Sequence, residues 1–287
     1  SVDPDGSIAS YAWNFGDGNT ATGASASHTY TASGTYTVSL TVTDEDGASN
    51  TLTRSIVVTV PNTDPEPEPE PEPEPTEDFV TDGFERTEAA GWGNSLSGGP
   101  WSITGGSAAP FQVANGTGKV SLAPGAGRNA WLNDVSSDDT DLTFDYSVSR
   151  STDGTSGSII DVISRSVSAN NNYHSRLVVQ GDGKVRVELA KSVSNVKTSL
   201  GMAYMPGTVS PNETLKVRIQ TQGAGTTNFR AKVWKAGDQE PEAWTITRTV
   251  NTSNLQAKGS LGLYFYLSAA AGAGNQVFTV DNIAAKP

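Results

Sequence analysis

The 287-residue sequence contains no cysteine, two histidines (His28 and His174) and two methionines. Without cysteine there is no disulfide framework, no thiol nucleophile and no Cys-ligated zinc or iron–sulfur centre. Two histidines do not by themselves build a His-rich metal site. No apolar run approaches the roughly 18 residues of a membrane helix, and mean hydropathy is −0.37. A positively charged, apolar leader is also absent and the chain opens at Ser1, so it reads as a processed product or a fragment. These absences leave extracellular or cell-surface β modules, without membrane insertion, as the expectation. The length allows two domains.

The charge is unevenly placed. Net charge is −12, from 31 acidic and 19 basic residues. Residues 1–63 carry six acidic groups against Arg54 alone, residues 64–78 carry eight against none, and residues 79–287 carry 17 against 18. The acidity belongs to the first module and the segment after it, where it favours solubility and repels anionic surfaces. No basic stripe of the kind that tracks phosphates stands out, so nucleic acid is not the expected partner.

Proline and glutamate alternate strictly from Pro65 to Pro75. Proline fixes φ and removes a donor, so this stretch joins neither a helix nor a sheet interior and predicts an extended polyproline-II spacer. At about 3.1 Å per residue, residues 64–78 would span about 45 Å. The chain accordingly divides into residues 1–62, a Pro-Glu linker at 63–78 and a larger module at 79–287.

In the first module, β-type runs at Ile8–Phe15, Thr35–Asp44 and Asn50–Val60 are separated by glycine-rich turns. Tyr36, Val38, Leu40 and Val42 alternate with Thr and Ser, the period-two signature of a strand with one buried face. Four phrases resemble a polycystic-kidney-disease (PKD) domain: Ser1-Val-Asp-Pro-Asp-Gly6, Tyr11-Ala-Trp13-Asn-Phe-Gly-Asp-Gly18, Ser27-His28-Thr29-Tyr30 and Gly34-Thr-Tyr36-Thr-Val. The resemblance implies an Ig-like sandwich over residues 1 to about 60, truncated by one or two upstream strands. It makes His28 a packing and hydrogen-bonding residue. Asp3 with Asp5, and Asp44 with Asp46, are either ordinary Asp-Gly turns or oxygen-ligand calcium loops, and neither continues into an EF-hand.

The second module alternates throughout. Leu142, Phe144, Tyr146 and Val148 form one such face, Leu215, Val217 and Ile219 another, and Leu261, Leu263, Phe265 and Leu267 a third. About a dozen short strands over this length predict a jelly-roll sandwich, so the chain as a whole is all-β. Asp82-Gly-Phe-Glu-Arg86-Thr, Gly91-Trp-Gly, Asn172-Tyr-His-Ser-Arg-Leu, Lys232-Val-Trp-Lys-Ala-Gly and Val280-Asp-Asn-Ile, in this order, resemble the laminin-G-like, concanavalin-like modules found beside PKD domains in secreted actinobacterial proteins.

Parity selects the candidate binding residues. Tyr264 and Tyr266 share the face opposite Leu263 and Phe265, His174 and Arg176 the face opposite Tyr173 and Leu177, and Arg186 and Glu188 the face opposite Val187. Tyrosine, histidine, arginine and glutamate on one surface suit hydroxyl-rich or acidic saccharides. The resemblance also implies a structural Ca2+ tying the first strand to the last, for which Asp82, Glu85 and Asp281 are the candidate ligands. The alternative is that Asp281 only caps a strand.

No nucleophile elbow, zinc-protease helix or phosphate-binding glycine loop is present. A lyase of this fold would want His, Tyr and Arg or Gln on the concave sheet, for which His174, Tyr146, Tyr264 and Arg176 are the candidates. The reading is therefore a non-catalytic extracellular binding module for a polysaccharide or cell-surface glycan, with the PKD module as spacer. The alternatives are an adhesive segment with a protein partner and no sugar site, and a polysaccharide lyase.

Overall fold

A computed structural model describes residues 7–60, 77–154 and 157–287. The chain divides into two compact units, residues 1–72 and 73–287. Apart from residues 77 and 78, the expected linker lies outside the described residues, as do Asp3 and Asp5.

The first unit is an antiparallel sheet of β1 (Ile8–Asn14), β2 (Thr20–Thr22), β3 (Gly34–Asp44) and β4 (Ser49–Val58), in the order β2-β1-β3-β4. The three longer strands match the runs of alternating residues. Thr20-Ala-Thr is too short for alternation to show. Opposed pairs Trp13–Leu40, Tyr11–Val42, Leu40–Leu52 and Tyr36–Ile56 put the apolar side chains on one face. That face is thinly covered: Leu52 is 74% exposed, and Phe15 is the only buried hydrophobic residue among the described residues of this unit.

Phe15 is held by the residues that carry the PKD resemblance. Its ring stacks on His28 at 4.3 Å, His28 meets Tyr30 edge-on at 4.6 Å, and Tyr30 stacks on Tyr36 at 4.2 Å. The Tyr30 hydroxyl donates to the Phe15 carbonyl (2.8 Å), and His28 Nε2 lies 2.6 Å from Asp17 Oδ2. Gly16 has φ +80° and a Cβ there would strike the Thr37 backbone, so the turn accepts only glycine. Asp44 Oδ1 accepts the Ala48 N–H (2.8 Å), closing an ordinary Asp-Gly turn.

The second unit opens with short strands β5 (Val80–Asp82), β6 (Trp101–Thr104), β7 (Phe111–Ala114) and β8 (Thr117–Leu122). Longer ones follow: β9 (Gly127–Ser137), β10 (Thr140–Val148), β11 (Ser158–Ser168), β12 (Asn171–Val179), β13 (Val185–Val193) and β14 (Val196–Tyr204). The last five are β15 (Leu215–Gln222), β16 (Thr227–Lys235), β17 (Ile246–Val250), β18 (Gly259–Leu267) and β19 (Gln276–Lys286). They build two antiparallel sheets, β17-β16-β15-β10-β19-β8-β7 with β5 also on β19, and β14-β13-β12-β11-β18-β9-β6. This is a jelly-roll β-sandwich. Alternation supplies its core: Leu142, Phe144 and Tyr146 from one sheet, and Ile160, Tyr173, Leu263 and Phe265 from the other, are all buried.

Trp92, fully buried, is the hub of an aromatic cluster, with Phe84, Trp101, Phe111 and Phe265 edge-on to it at 5.2–5.7 Å. Beside the cluster the buried Asp82 carboxylate is saturated. It takes Arg86 Nη1 and Nη2 (2.7 and 2.8 Å), the Trp101 indole N–H (2.7 Å) and the Phe84 N–H (2.9 Å).

Two expectations follow. Asp82→Asn strips the counter-charge from Arg86, and a half-broken buried pair costs about 3 kcal/mol; the loss should appear as a lower urea midpoint for the full chain. In the first unit, desolvation pushes the Asp17 carboxyl up, but hydrogen bonds from His28 and Asn19 outweigh it and hold it at about 2. A depressed carboxylate contributes stability above its unfolded value that is lost as pH falls toward the folded one. The Phe15–His28–Tyr30 stack should therefore hold above pH 4 and loosen between about pH 4 and 2. Ring NMR shifts measure this, and Asp17→Asn should remove the acid step.

Candidate functional site

On the second sheet, the face turned away from the core carries the polar residues that alternate with the buried ones. Strand registers align them in rows. One row runs Met202, Glu188, Arg176, Asp161, Tyr264, Asn129 and Thr104 across all seven strands. At about 4.8 Å per strand it spans about 29 Å. The neighbouring row on one side runs Tyr204, Arg186, Val178, Ile159 and Tyr266. On the other side runs Ala190, His174, Ile163, Gly262, Trp131 and Ser102.

The structure thus brings the five candidate ligand residues, Tyr264, Tyr266, His174, Arg176 and Arg186, onto one face, with β11 as the shared neighbour of β12 and β18. The two tyrosine rings are near-parallel, with an interplanar angle of 15° and centroids 6.3 Å apart. Burial, then Asp161 and Tyr266, push the Tyr264 phenol up, so it is a neutral donor at neutral pH. Arg176 Nε and Nη2 donate to the two oxygens of Asp161, both at 2.7 Å.

Trp131, Asp161 and Lys197 join this face although parity arguments did not select them. The Trp131 ring lies over Gly262 and the Tyr264 hydroxyl over Gly127; a Cβ on either glycine would strike the ring above it. It is the missing side chain, rather than unusual φ, that makes these glycines necessary. Trp131, Tyr264 and Tyr266 form a half-buried aromatic shelf beside the Arg176–Asp161 pair.

His174 is placed differently. It is 5% exposed, its Nδ1–H donates to Asn172 Oδ1 (2.9 Å), and Nε2 is sealed without a partner. Burial lowers its pKa to about 4, so the ring is neutral at neutral pH. Tyr146 is not on this face at all: it points into the core from β10, 1% exposed, and burial pushes its pKa up. Of the lyase candidates, His174, Arg176 and Tyr264 share this face and Tyr146 does not.

The candidate cation ligands fare similarly. Among the described residues no three His, Cys, Asp or Glu side chains gather as a metal site. Glu85 is exposed. Burial, then Asp145 and Asp82, raise the Asp281 carboxyl, yet both neighbours already hold a cation. Arg86 occupies Asp82, and Lys216 Nζ lies 2.8 Å from Asp145. Asp82, Glu85 and Asp281 therefore do not fit as a calcium trio, because side-chain cations neutralise the place a metal would take.

Comparison with known proteins bears on fold and family. No curated protein matches the chain. Among solved structures, alginate lyase Aly36B is 10% identical, with 72% of this chain and 96% of that one covered and a TM-score of 0.50. The carbohydrate-binding module CBM66 from Bacillus subtilis is 11% identical over 65% of this chain and 95% of that one, with a TM-score of 0.43. The PKD1 domain of Vibrio anguillarum Epp is 54% identical, with 21% of this chain and 70% of that one covered and a TM-score of 0.20. The family model described as PKD domain matches residues 1–60. Through those residues the chain belongs to the PKD domain family.

Proposed function

We propose that the second unit is a laminin-G-like, non-catalytic saccharide-binding module of a secreted or cell-surface protein, and that the PKD unit is its spacer. The observation that carries the reading is the aromatic shelf of Trp131, Tyr264 and Tyr266 beside the Arg176–Asp161 pair. Sugar rings present an apolar C–H face and a rim of hydroxyls. Aromatic rings take the first and fixed donors and acceptors take the second. The row of outward side chains crosses all seven strands, exposed at Met202 and Thr104 and half-buried between them apart from Asp161, which suits a polymer rather than an enclosed small molecule. The carbohydrate-binding module among the similar structures is consistent with this.

Binding without turnover is supported by His174. Its Nε2 is the free lone pair a proton-abstracting base would use, and it is sealed from solvent, out of hydrogen-bond reach of a ligand on the face. Glycosidases need two carboxylates across a cleft; here Asp161 is engaged by Arg176.

Titration calorimetry of the full chain against a polysaccharide panel tests the reading. Trp131→Ala and Tyr264→Ala should each weaken the polymer that binds by about tenfold, the worth of one stacked ring at roughly 1–1.5 kcal/mol, in chains that circular dichroism shows still folded. The affinity should be the same in chelator, because side-chain cations already neutralise the carboxylates beside Asp281. Release of ultraviolet-absorbing unsaturated product would convert the reading to a lyase. Binding to a protein surface with no response to any glycan would favour the adhesive alternative.

A further inference from the structure

The charges on the binding face are unequally committed. Arg176 and Asp161 neutralise one another through two hydrogen bonds. Five cations elsewhere in this unit are spent the same way: Arg86 and Arg218 each hold an aspartate through two nitrogens, and Lys216, Lys232 and Lys235 each lie within 2.8 Å of a carboxylate. Arg186 and Lys197 have no such partner. Among the described residues neither makes an ion pair or a side-chain hydrogen bond, and Arg186 Nε is buried with no acceptor. Lys197 is exposed and reaches the same face, opposite Ser192 in register and within electrostatic range of Asp161, Arg176, Glu188 and Arg186. Glu188 is the face's remaining free acid, so three cations against two anions leave it net positive in a chain of net charge −12.

Arg186 is half-buried and none of its N–H groups meets an acceptor among the described residues; its Nε is sealed, so the Nη groups are the ones an incoming partner reaches. A hydroxyl would accept from them but leave the charge unmatched; a carboxylate does both, and Arg recognises it through parallel bonds. Arg186 and Lys197 stand on opposite sides of the Arg176–Asp161 row, so one monosaccharide acid reaches one of them and a polymer repeating the group reaches both. We infer that the saccharide bound on this face is acidic, a uronate polymer whose carboxylates sit on Arg186 and Lys197. The inference rests on the saccharide-binding reading above and narrows it.

The test is calorimetry on the full chain with alginate, polygalacturonate and hyaluronan, each beside its carboxyl-reduced counterpart, at low and moderate salt. At least one acidic polymer should bind about tenfold more tightly than its reduced form, the scale of one charge-assisted hydrogen bond, and should weaken as salt rises. Lys197→Ala and Arg186→Gln should each lower the affinity for the acidic form by about tenfold more than that for the reduced form. Lys197 is exposed, so its variant decides the matter even where Arg186→Gln fails to fold. Equal affinity for acidic and reduced forms, or an acid preference that survives Lys197→Ala, overturns the inference and leaves saccharide binding standing. Binding of neither form by the folded chain overturns both.

Discussion

The Arg176–Asp161 pair sits at the centre of the seven-stranded sheet, on adjacent strands β12 and β11. A carboxylate that is nearly buried needs donors that match its geometry, and a guanidinium placed across the strand boundary supplies two. The pairing fixes more than itself. Holding Asp161 opposite Arg176 puts Ile160 opposite Leu177 and Val162 opposite Ser175 on the inner side. On the other edge of β11 it puts Ile160 opposite Phe265 and Tyr264 beside Asp161. A slip of one residue would carry the ion pair into the core and the aliphatic side chains into water. One set of registers thus builds the hydrophobic interior and the open face together.

The same rule, that buried acids are matched by fixed cations, runs through the rest of this unit. Asp82 is closed on all sides by Arg86, Trp101 and the Phe84 amide, and it ties the opening segment to the aromatic cluster around Trp92. Asp141 is closed in the same manner by Arg218 and Gln220. These groups are spent on the fold. Arg186, Lys197 and Glu188, which form no ion pair among the described residues, stand together on a single face. Their clustering carries more weight than the count of charges, because scattered unpaired lysines are ordinary on any surface.

Much of this was legible in the residues, and what was not has physical reasons. Period-two alternation identified the inward faces of β10, β12, β13 and β18, and hence the outward Tyr264, Tyr266, Arg176 and Arg186. It could not say which strands are neighbours, so the meeting of β11 with both β12 and β18 appeared only in three dimensions. Asp161 was hidden in Ile159-Ile-Asp-Val-Ile, a run that reads as core throughout. Lys197 was hidden by the irregularity between Leu189 and Ala190 in the β13–β14 pairing, which breaks the parity count along β14. Trp131 could have been suspected from Gly262, since a glycine inside an apolar strand often marks a close approach by something large. Tyr146 belongs by parity with the apolar Leu142, Phe144 and Val148, and the structure buries it with them.

The two units also reach order by different routes. The second buries two inner faces against each other, so nearly every strand contributes side chains to a common core. The described part of the first has one sheet and one buried hydrophobic side chain, Phe15. Its order comes from the Phe15–His28–Tyr30–Tyr36 stack and from the hydrogen bonds that Asp17 and Tyr30 make around it. Such a cluster is local: every member lies between residues 15 and 36, and its sequence phrase is readable because each ring, glycine and carboxylate has one place in a short loop. A core drawn from many strands has no such phrase. That difference explains why the family of the first unit is evident from a few residues, while the second shares its architecture with proteins about 10% identical to it. It also explains why the function of the second unit must be argued from the side chains on its face and not from its fold.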